Sequence, residues 1–310
     1  MTSATDTNAT GRIGSDRQKS RAFSSVFALQ KGEGTPPLFF VPDLGGSVFY
    51  AKKFVAAFNA KQPVYGFRLD PRTDWANSKI DIPALAEKFA DDLIASNHVE
   101  PYHIVGHSFA GIVAFETARQ LELKGAKVGI LAMLDAGVPL KYHQRSFLEK
   151  LTYPVNLVIS LIRFLNHKLP RMNGYEILER AKTHLSPESP QQQSDQSDKH
   201  LLSTPGFVTM DLSTHPEAYR DIISHLYGAL TRYEPKPYQG SMLIFKCKIH
   251  SFLAVATRYM GWQNFVSGEL KVHNVDGDHL DIIRRDAQVT EISNILARKL
   301  EHYFDNREQK

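Results

Sequence analysis

The serine at position 108 is the side chain in this sequence best placed to act as a nucleophile. It lies in the segment Gly-His-Ser-Phe-Ala, residues 106–110, and a further glycine follows at position 111. A β-prone apolar run, 102–105, precedes this segment, and apolar residues at helical spacing follow it. Small residues allow a tight turn between a strand and a helix, because larger side chains would collide there. Such a turn would place Ser108 at a helix N-terminus, where free backbone N–H groups favour a developing negative charge.

A serine hydroxyl is a weak nucleophile until a base removes its proton, and histidine titrates in the useful range. Of the 13 histidines, His279 is the best candidate, because it follows a predicted strand in the turn Gly-Asp-His, 277–279. His107 is adjacent to Ser108, but neighbouring side chains on a tight turn point apart. We therefore interpret His107 as structural, with a role in positioning the turn.

The base needs an acid that fixes its tautomer, and two predicted strand ends could supply one. The residues after Lys246 contain no carboxylate, so Asp135, which follows the other strand, is predicted as the acid by elimination. Asp276 and Asp278 are the competing candidates. They are too near His279 along the chain to approach its ring easily, and we interpret them as turn formers.

A glycine-rich turn, 42–47, follows another predicted strand and precedes a helix. Glycine lets the backbone approach closely, so N–H groups of this turn could face a neighbouring site. The alternative is an ordinary loop between a strand and a helix.

Apolar runs without alternation are separated by amphipathic segments, which is typical of a parallel sheet with helices on both faces. The predicted strands are 26–29, 38–41, 64–69, 102–105, 128–134, 241–246 and 270–275; the predicted helices are 51–59, 82–95, 112–124, 216–233 and 289–304. The fold class is therefore α/β, and in such sheets the site lies beyond the carboxyl ends of the strands.

Two segments depart from this alternation. Residues 1–24 are polar and are predicted to be a disordered N-terminal segment, which leaves 25–310 as one domain. Residues from about 140 to 214 are predicted to be a helical lid insertion. The apolar helical part of this insertion, 147–169, could line an acyl channel, touch a membrane surface or pack on the body of the domain.

The composition excludes several classes of function. A net charge of +4 with scattered basic residues gives no reason to expect a nucleic-acid partner. The single cysteine, Cys247, excludes an intramolecular disulfide and favours a reducing, cytoplasmic setting. Neither a signal peptide nor a transmembrane segment is predicted. The spacing of His273, Asp276, Asp278 and His279 matches no common metal site, and no phosphate-loop or dinucleotide-binding motif is present, so neither metal nor cofactor is expected.

Several motifs together resemble the thioesterase branch of the α/β-hydrolase superfamily, which is found at the end of nonribosomal peptide and polyketide synthases. They are the stretches 37–47, 106–111, 113–121, 233–240 and 277–279. The position of the acid at Asp135, one strand earlier than in many hydrolases, is also similar to this branch. The likeness runs from about 26 to 303 and is weakest in the predicted lid.

The resemblance implies that Ser108 is acylated by a thioester on a carrier protein or on coenzyme A, with His279 as base and Asp135 as its partner. The backbone N–H groups of Leu44 and Phe109 would form the oxyanion hole. Hydrolysis, cyclisation or transfer would then release the acyl, polyketide or peptide chain. No cofactor is implied beyond the phosphopantetheine arm of an acyl or peptidyl carrier protein acting in trans. The alternative is acyl transfer or ester hydrolysis on a small lipid-like molecule without a carrier.

The sequence departs from the pattern of this branch at two positions. Ala110 replaces the usual glycine, and a small side chain is tolerated there. Asp43 stands where a small residue is usual. Since a carboxylate aimed inward would oppose the oxyanion, we expect Asp43 to point to solvent.

Overall fold

The computed structural model describes residues 25–33, 36–59, 61–69, 81–96, 98–139, 142, 159, 162, 166, 201–202, 210–211, 216–249 and 257–308. The predicted disordered segment, 1–24, and nearly all of the predicted lid, about 140–214, lie outside these residues. Both therefore stay predictions.

A seven-stranded sheet forms the centre of the molecule, with the strand order β1-β3-β2-β4-β5-β8-β9. Its strands are β1 (Val26–Gln30), β2 (Leu38–Phe40), β3 (Val64–Phe67), β4 (Tyr102–His107), β5 (Val128–Leu134), β8 (Met242–Cys247) and β9 (Leu270–Val275); a separate pair consists of β6 (Leu201–Leu202) and β7 (Met210–Asp211). β1 pairs with β3 in antiparallel fashion, and the other pairs of the large sheet are parallel. The predicted α/β class is confirmed.

Helices cover this sheet and bury its apolar strands. They are α1 (Ala51–Ala57), α2 (Ile82–Ala95), α3 (Phe109–Leu123), α4 (Glu217–Arg232), α5 (Asp281–Arg284) and α6 (Asp286–Glu308). All six residues of β4 are buried, and so is most of α3, which follows it directly. Burial of each large apolar side chain contributes about 1.5–3 kcal/mol, so this core fixes the position of the strand ends.

The strand ends meet at one edge of the sheet because β4, β5, β8 and β9 are consecutive parallel neighbours. Ser108 follows β4, and Asp135 follows β5. Cys247 ends β8, and the turn that carries His279 follows β9. Among the described helices, none combines the length and the apolar character needed to cross a bilayer.

Candidate active site

Ser108 lies in a strained turn between β4 and α3. Its backbone has φ 55° and ψ −121°, in the positive-φ region that residues other than glycine rarely adopt. A Cβ atom at Gly106 would lie 2.3 Å from the carbonyl oxygen of Ala110, so only glycine fits this position. Strain of this kind costs about 1–3 kcal/mol and persists where the surrounding structure enforces it. The sheet and helix packing therefore hold Ser108, which is half-buried, at the tip of the turn.

Asp135 has a similarly strained backbone, with φ 47°. Its N–H donates to the carbonyl oxygen of Phe245 at 2.7 Å, which continues the pairing between β5 and β8. The side chain is 4% exposed. Its Oδ2 accepts a hydrogen bond from Nδ1 of His279 at 2.8 Å, across 144 positions of sequence. The structure therefore brings the predicted acid and the predicted base into direct contact.

The two competing acids have other partners. Asp276 is largely exposed and forms an ion pair with Lys248 at 2.6 Å. Asp278 accepts hydrogen bonds at Oδ1 from the backbone N–H groups of Leu280 and Asp281, at 2.9 and 3.0 Å. These hydrogen bonds lie at the start of the short helix α5, which the sequence did not predict. Of the three carboxylates, Asp135 makes the hydrogen bond to the His279 ring.

His107 supports the loop that carries His279, the predicted base. Its Nε2–H donates to the backbone carbonyl oxygen of His279 at 2.9 Å, and the two rings lie 4.5 Å apart between centroids. Burial, together with the nearby His279, lowers the pKa of His107 to about 3. His107 is therefore a neutral donor at physiological pH. The sequence predicted a structural role in positioning the turn; in the structure, His107 links the turn that carries Ser108 to the backbone of His279.

The lowered pKa of His107 predicts a loss of stability in acid. A histidine near pKa 6.5 when unfolded and near 3 when folded binds more protons in the unfolded chain between those values. The contribution of His107 to the free energy of unfolding is therefore fully present above about pH 6.5. It falls as the pH decreases, by about 3 kcal/mol at pH 4. Urea unfolding at pH 7 and pH 4 should show a larger acid loss in the wild type than in His107→Gln. Equal losses in the two proteins would contradict this account.

The glycine-rich turn after β2 is closed by Asp43, and the expectation that this side chain points to solvent is wrong. Its Oδ1 accepts from the N–H groups of Gly45 and Ser47, at 2.9 and 3.3 Å. The N–H groups of Asp43 and Gly46 donate within the turn to Ser47 and Asp43 carbonyl oxygens. Leu44 is the one residue of 43–47 whose N–H has no acceptor within the described part of the chain. The carboxylate thus shapes the turn and leaves that single N–H free.

The environment of Asp43 is only partly open to water. Burial raises the pKa of this carboxyl, and the hydrogen bonds from Ser47 and Gly45 act in the opposite direction. Tyr219 of α4 packs on the turn, where a Cβ atom at Gly45 would lie 2.4 Å from its hydroxyl oxygen. The helix that follows the predicted lid therefore contacts the turn that presents Leu44.

The second predicted oxyanion donor, Phe109, is the first residue of α3. N–H groups in the first turn of a helix have no intrahelical acceptor, and they lie at the positive end of the helix dipole. Phe109 follows Ser108 directly, so its N–H belongs to the same turn as the predicted nucleophile.

Cys247 is a site residue that the sequence analysis missed. Its N–H donates to Oδ1 of Asp135 at 3.0 Å, and its Sγ lies 2.9 Å from Oδ2 of the same carboxylate. A carboxylate, and not a thiol, is the side chain expected to orient a catalytic histidine. The position of Cys247 at the end of the strand that neighbours β5 could have indicated that it lies near Asp135.

The four residues considered for a metal site have separate partners. His279 bonds to Asp135, and Asp276 pairs with Lys248. Asp278 accepts from two backbone N–H groups at the start of α5, and the ring of His273 stacks on Phe245. Within the ranges that the structure describes, no group of three or more His, Cys, Asp or Glu side chains is arranged to hold a metal ion.

Comparison with known proteins gives a family match over part of the chain. Residues 36–172 match the family model described as "Thioesterase domain". Malpibaldin synthetase of Mortierella alpina is 22% identical over 264 residues, which is 84% of this chain. A dimodular nonribosomal peptide synthase of Bacillus subtilis is 23% identical over 286 residues, or 90% of this chain. The matched regions span only 4% and 11% of these two relatives.

Solved thioesterase domains share the fold. The NocB thioesterase domain, in covalent complex with a fluorophosphonate nocardicin G analogue, superposes with a TM-score of 0.54 at 17% identity, over 89% of this chain and 100% of that one. The Vlm2 thioesterase domain, bound with a dodecadepsipeptide, gives a TM-score of 0.54 at 16% identity, over 89% of this chain and 98% of that one. The predicted resemblance to thioesterase domains is therefore confirmed: residues 36–172 match that family model, and the chain shares the α/β fold of the solved thioesterase domains.

Proposed function

We propose that this protein is a serine hydrolase of the thioesterase type, which releases an acyl, polyketide or peptide chain from a carrier-protein or coenzyme A thioester. The observation that carries the proposal is the 2.8 Å hydrogen bond between Asp135 and His279 at the sheet edge where Ser108 occupies a strained turn. The similarity to a nonribosomal peptide synthase supports a carrier-bound thioester as the substrate.

The hydrogen bond from His279 to Asp135 determines which ring nitrogen acts as the base. Since Nδ1 donates to the carboxylate, the proton of the neutral ring is on Nδ1 and the lone pair is on Nε2. Nε2 accepts the hydroxyl proton of Ser108 as Oγ attacks the thioester carbonyl carbon. The imidazolium returns this proton to the departing thiolate as the carbon–sulfur bond breaks, which leaves an acyl ester on Ser108.

Deacylation repeats these steps with a different nucleophile. Water, or a hydroxyl or amine within the acyl chain, loses its proton to Nε2 of His279 and attacks the ester carbonyl carbon. The bond to Oγ breaks, and the imidazolium protonates Ser108. Attack by water gives a free acid, whereas attack by an internal group gives a ring.

The N–H groups of Leu44 and Phe109 stabilise the oxyanion in both steps. Donors fixed before the reaction need no reorganisation as charge develops, and each contributes about 3–4 kcal/mol to transition-state stabilisation. Asp43 assists by directing its carboxylate to Gly45 and Ser47, which keeps its negative charge engaged within the turn.

Turnover of matched substrates tests this function. We expect an acyl-pantetheine thioester to react with a kcat/KM at least about tenfold above that of the oxygen ester with the same acyl chain. The acyl chain should be varied in length in both series, so that a poor acyl group is not mistaken for a poor leaving group. Preference for the oxygen esters throughout would overturn the thioesterase proposal and favour the carrier-independent esterase or acyltransferase.

A further inference from the structure

The Asp135 carboxylate has a second partner besides His279, and this partner is Cys247. One residue supplies two contacts: its backbone N–H reaches Oδ1 at 3.0 Å, and its Sγ reaches Oδ2 at 2.9 Å. Oδ2 is the same oxygen that accepts from Nδ1 of His279. The thiol and the imidazole therefore share one carboxylate oxygen.

The sheet places these groups together. β5 and β8 are parallel neighbours in the register Leu134 to Phe245, and the N–H of Asp135 donates to the carbonyl oxygen of Phe245. Cys247 lies two residues further along β8, so its side chain is on the same face as that of Phe245. Both Asp135 and Cys247 are buried, at 4% and 1% exposure. The contact is thus fixed by backbone pairing and is shielded from water.

The thiol acts as the donor in this contact. Burial and the negative charge of Asp135 raise the pKa of Cys247 well above its usual value, so the sulfur keeps its proton. Two oxygens lie within reach of Sγ, namely Oδ2 of Asp135 and, at 3.3 Å, the carbonyl oxygen of Ile249. Both oxygens are acceptors, so the S–H must donate.

We propose that Cys247 is a positioning residue for the acid of the triad, through the hydrogen bond from its thiol to Oδ2 of Asp135. This inference rests on the proposed serine-hydrolase function. The thiol holds the carboxylate plane against rotation and neutralises part of the charge on Oδ2. Without the thiol, the carboxylate would stabilise the imidazolium of His279 more strongly and would orient the ring less well.

Other charged and titratable groups surround this cluster. The ring of His107 contacts that of His279, and the charge of Arg284 helps to lower the pKa of His107. The charge of Asp278 raises the pKa of Cys247, and the charge of Lys246 lowers it. A substitution at position 247 changes none of these side chains. A difference between a variant that keeps a donor at this position and one that does not therefore measures the effect of the hydrogen bond to Asp135.

The test compares Cys247→Ala with Cys247→Ser by the rate of fluorophosphonate labelling as a function of pH. Both variants lose the volume of the sulfur, but only serine keeps a donor. Labelling needs the activated serine and does not depend on the natural acyl chain. For the alanine variant we expect the plateau rate to fall about tenfold, since small misplacements of a catalytic group are costly. We also expect the acid limb of its curve of labelling rate against pH to move to higher pH by about half a unit.

The serine variant should keep both the plateau and the acid limb close to those of the wild type. In case the alanine variant does not fold, the comparison is repeated with Cys247→Thr and Cys247→Val. These two side chains have nearly the same volume as each other and are larger than alanine and serine. If the wild type is labelled but the donor and non-donor variants have equal labelling rates and equal pH profiles, the proposed role of the thiol is wrong. Absence of labelling in the wild type would instead overturn the serine-hydrolase proposal, and this inference with it.

Discussion

Ser108→Ala is expected to abolish labelling by a fluorophosphonate and to lower thioester turnover about 10⁶-fold, as loss of a catalytic serine does in other triads. The reason is that Ser108 carries the only hydroxyl group in the turn between β4 and α3. Alanine carries the same Cβ as serine, so the strained backbone at φ 55° is no worse accommodated and the fold should persist.

A matched control for this variant is Ser96→Ala. Ser96 lies at the C-terminal end of α2, where its hydroxyl donates to the carbonyl oxygen of Leu93 at 2.6 Å. We expect this control to retain labelling and turnover near those of the wild type. Labelling that persists in Ser108→Ala, measured by intact mass, would assign the nucleophile to another residue.

Asp135→Asn is expected to lower kcat about 10⁴-fold, because an amide at this position favours the wrong tautomer of the base. The structure adds a second reason. Oδ1 accepts from the N–H of Cys247, while Oδ2 accepts from both the thiol of Cys247 and Nδ1 of His279. An asparagine NH₂ group would meet a donor in either orientation. Asparagine therefore turns the ring of His279 or leaves a buried donor unsatisfied.

The control for this prediction is Asp276→Asn. Its ion pair with Lys248 is exposed, and exposed pairs contribute about 0–1 kcal/mol. Steady-state turnover of the same thioester should be nearly unchanged in this variant. A near-normal rate for Asp135→Asn together with a large loss for Asp276→Asn would reverse the assignment of the acid.

The sequence predicted the framework of the site because that framework depends on local patterns. Apolar runs identified the parallel strands, and glycines at 106 and 111 identified the turn that carries Ser108. Asp135 and His279 were selected because each follows a strand, and neighbouring parallel strands bring their ends to one edge. Their hydrogen bond crosses 144 positions of sequence, yet the topology was sufficient to predict that they are near each other.

Side-chain direction could not be predicted in the same way. Asp43 was expected to point to solvent, but its carboxylate closes its own turn by accepting from Gly45 and Ser47. The short helix α5 was not predicted because a four-residue segment is too short to show helical periodicity. The thiol of Cys247 was missed because its role depends on the register between β5 and β8.

The measurement that tests the central claim most directly is the mass of the enzyme during a single turnover of an acyl-pantetheine thioester. Rapid acid quenching followed by intact-mass and peptide-mass analysis should show a transient increase equal to the acyl group, located on the peptide that contains Ser108. The Ser108→Ala protein should show no such increase. Thiol release without an acyl-enzyme, or acylation at a different residue, would contradict the proposed mechanism.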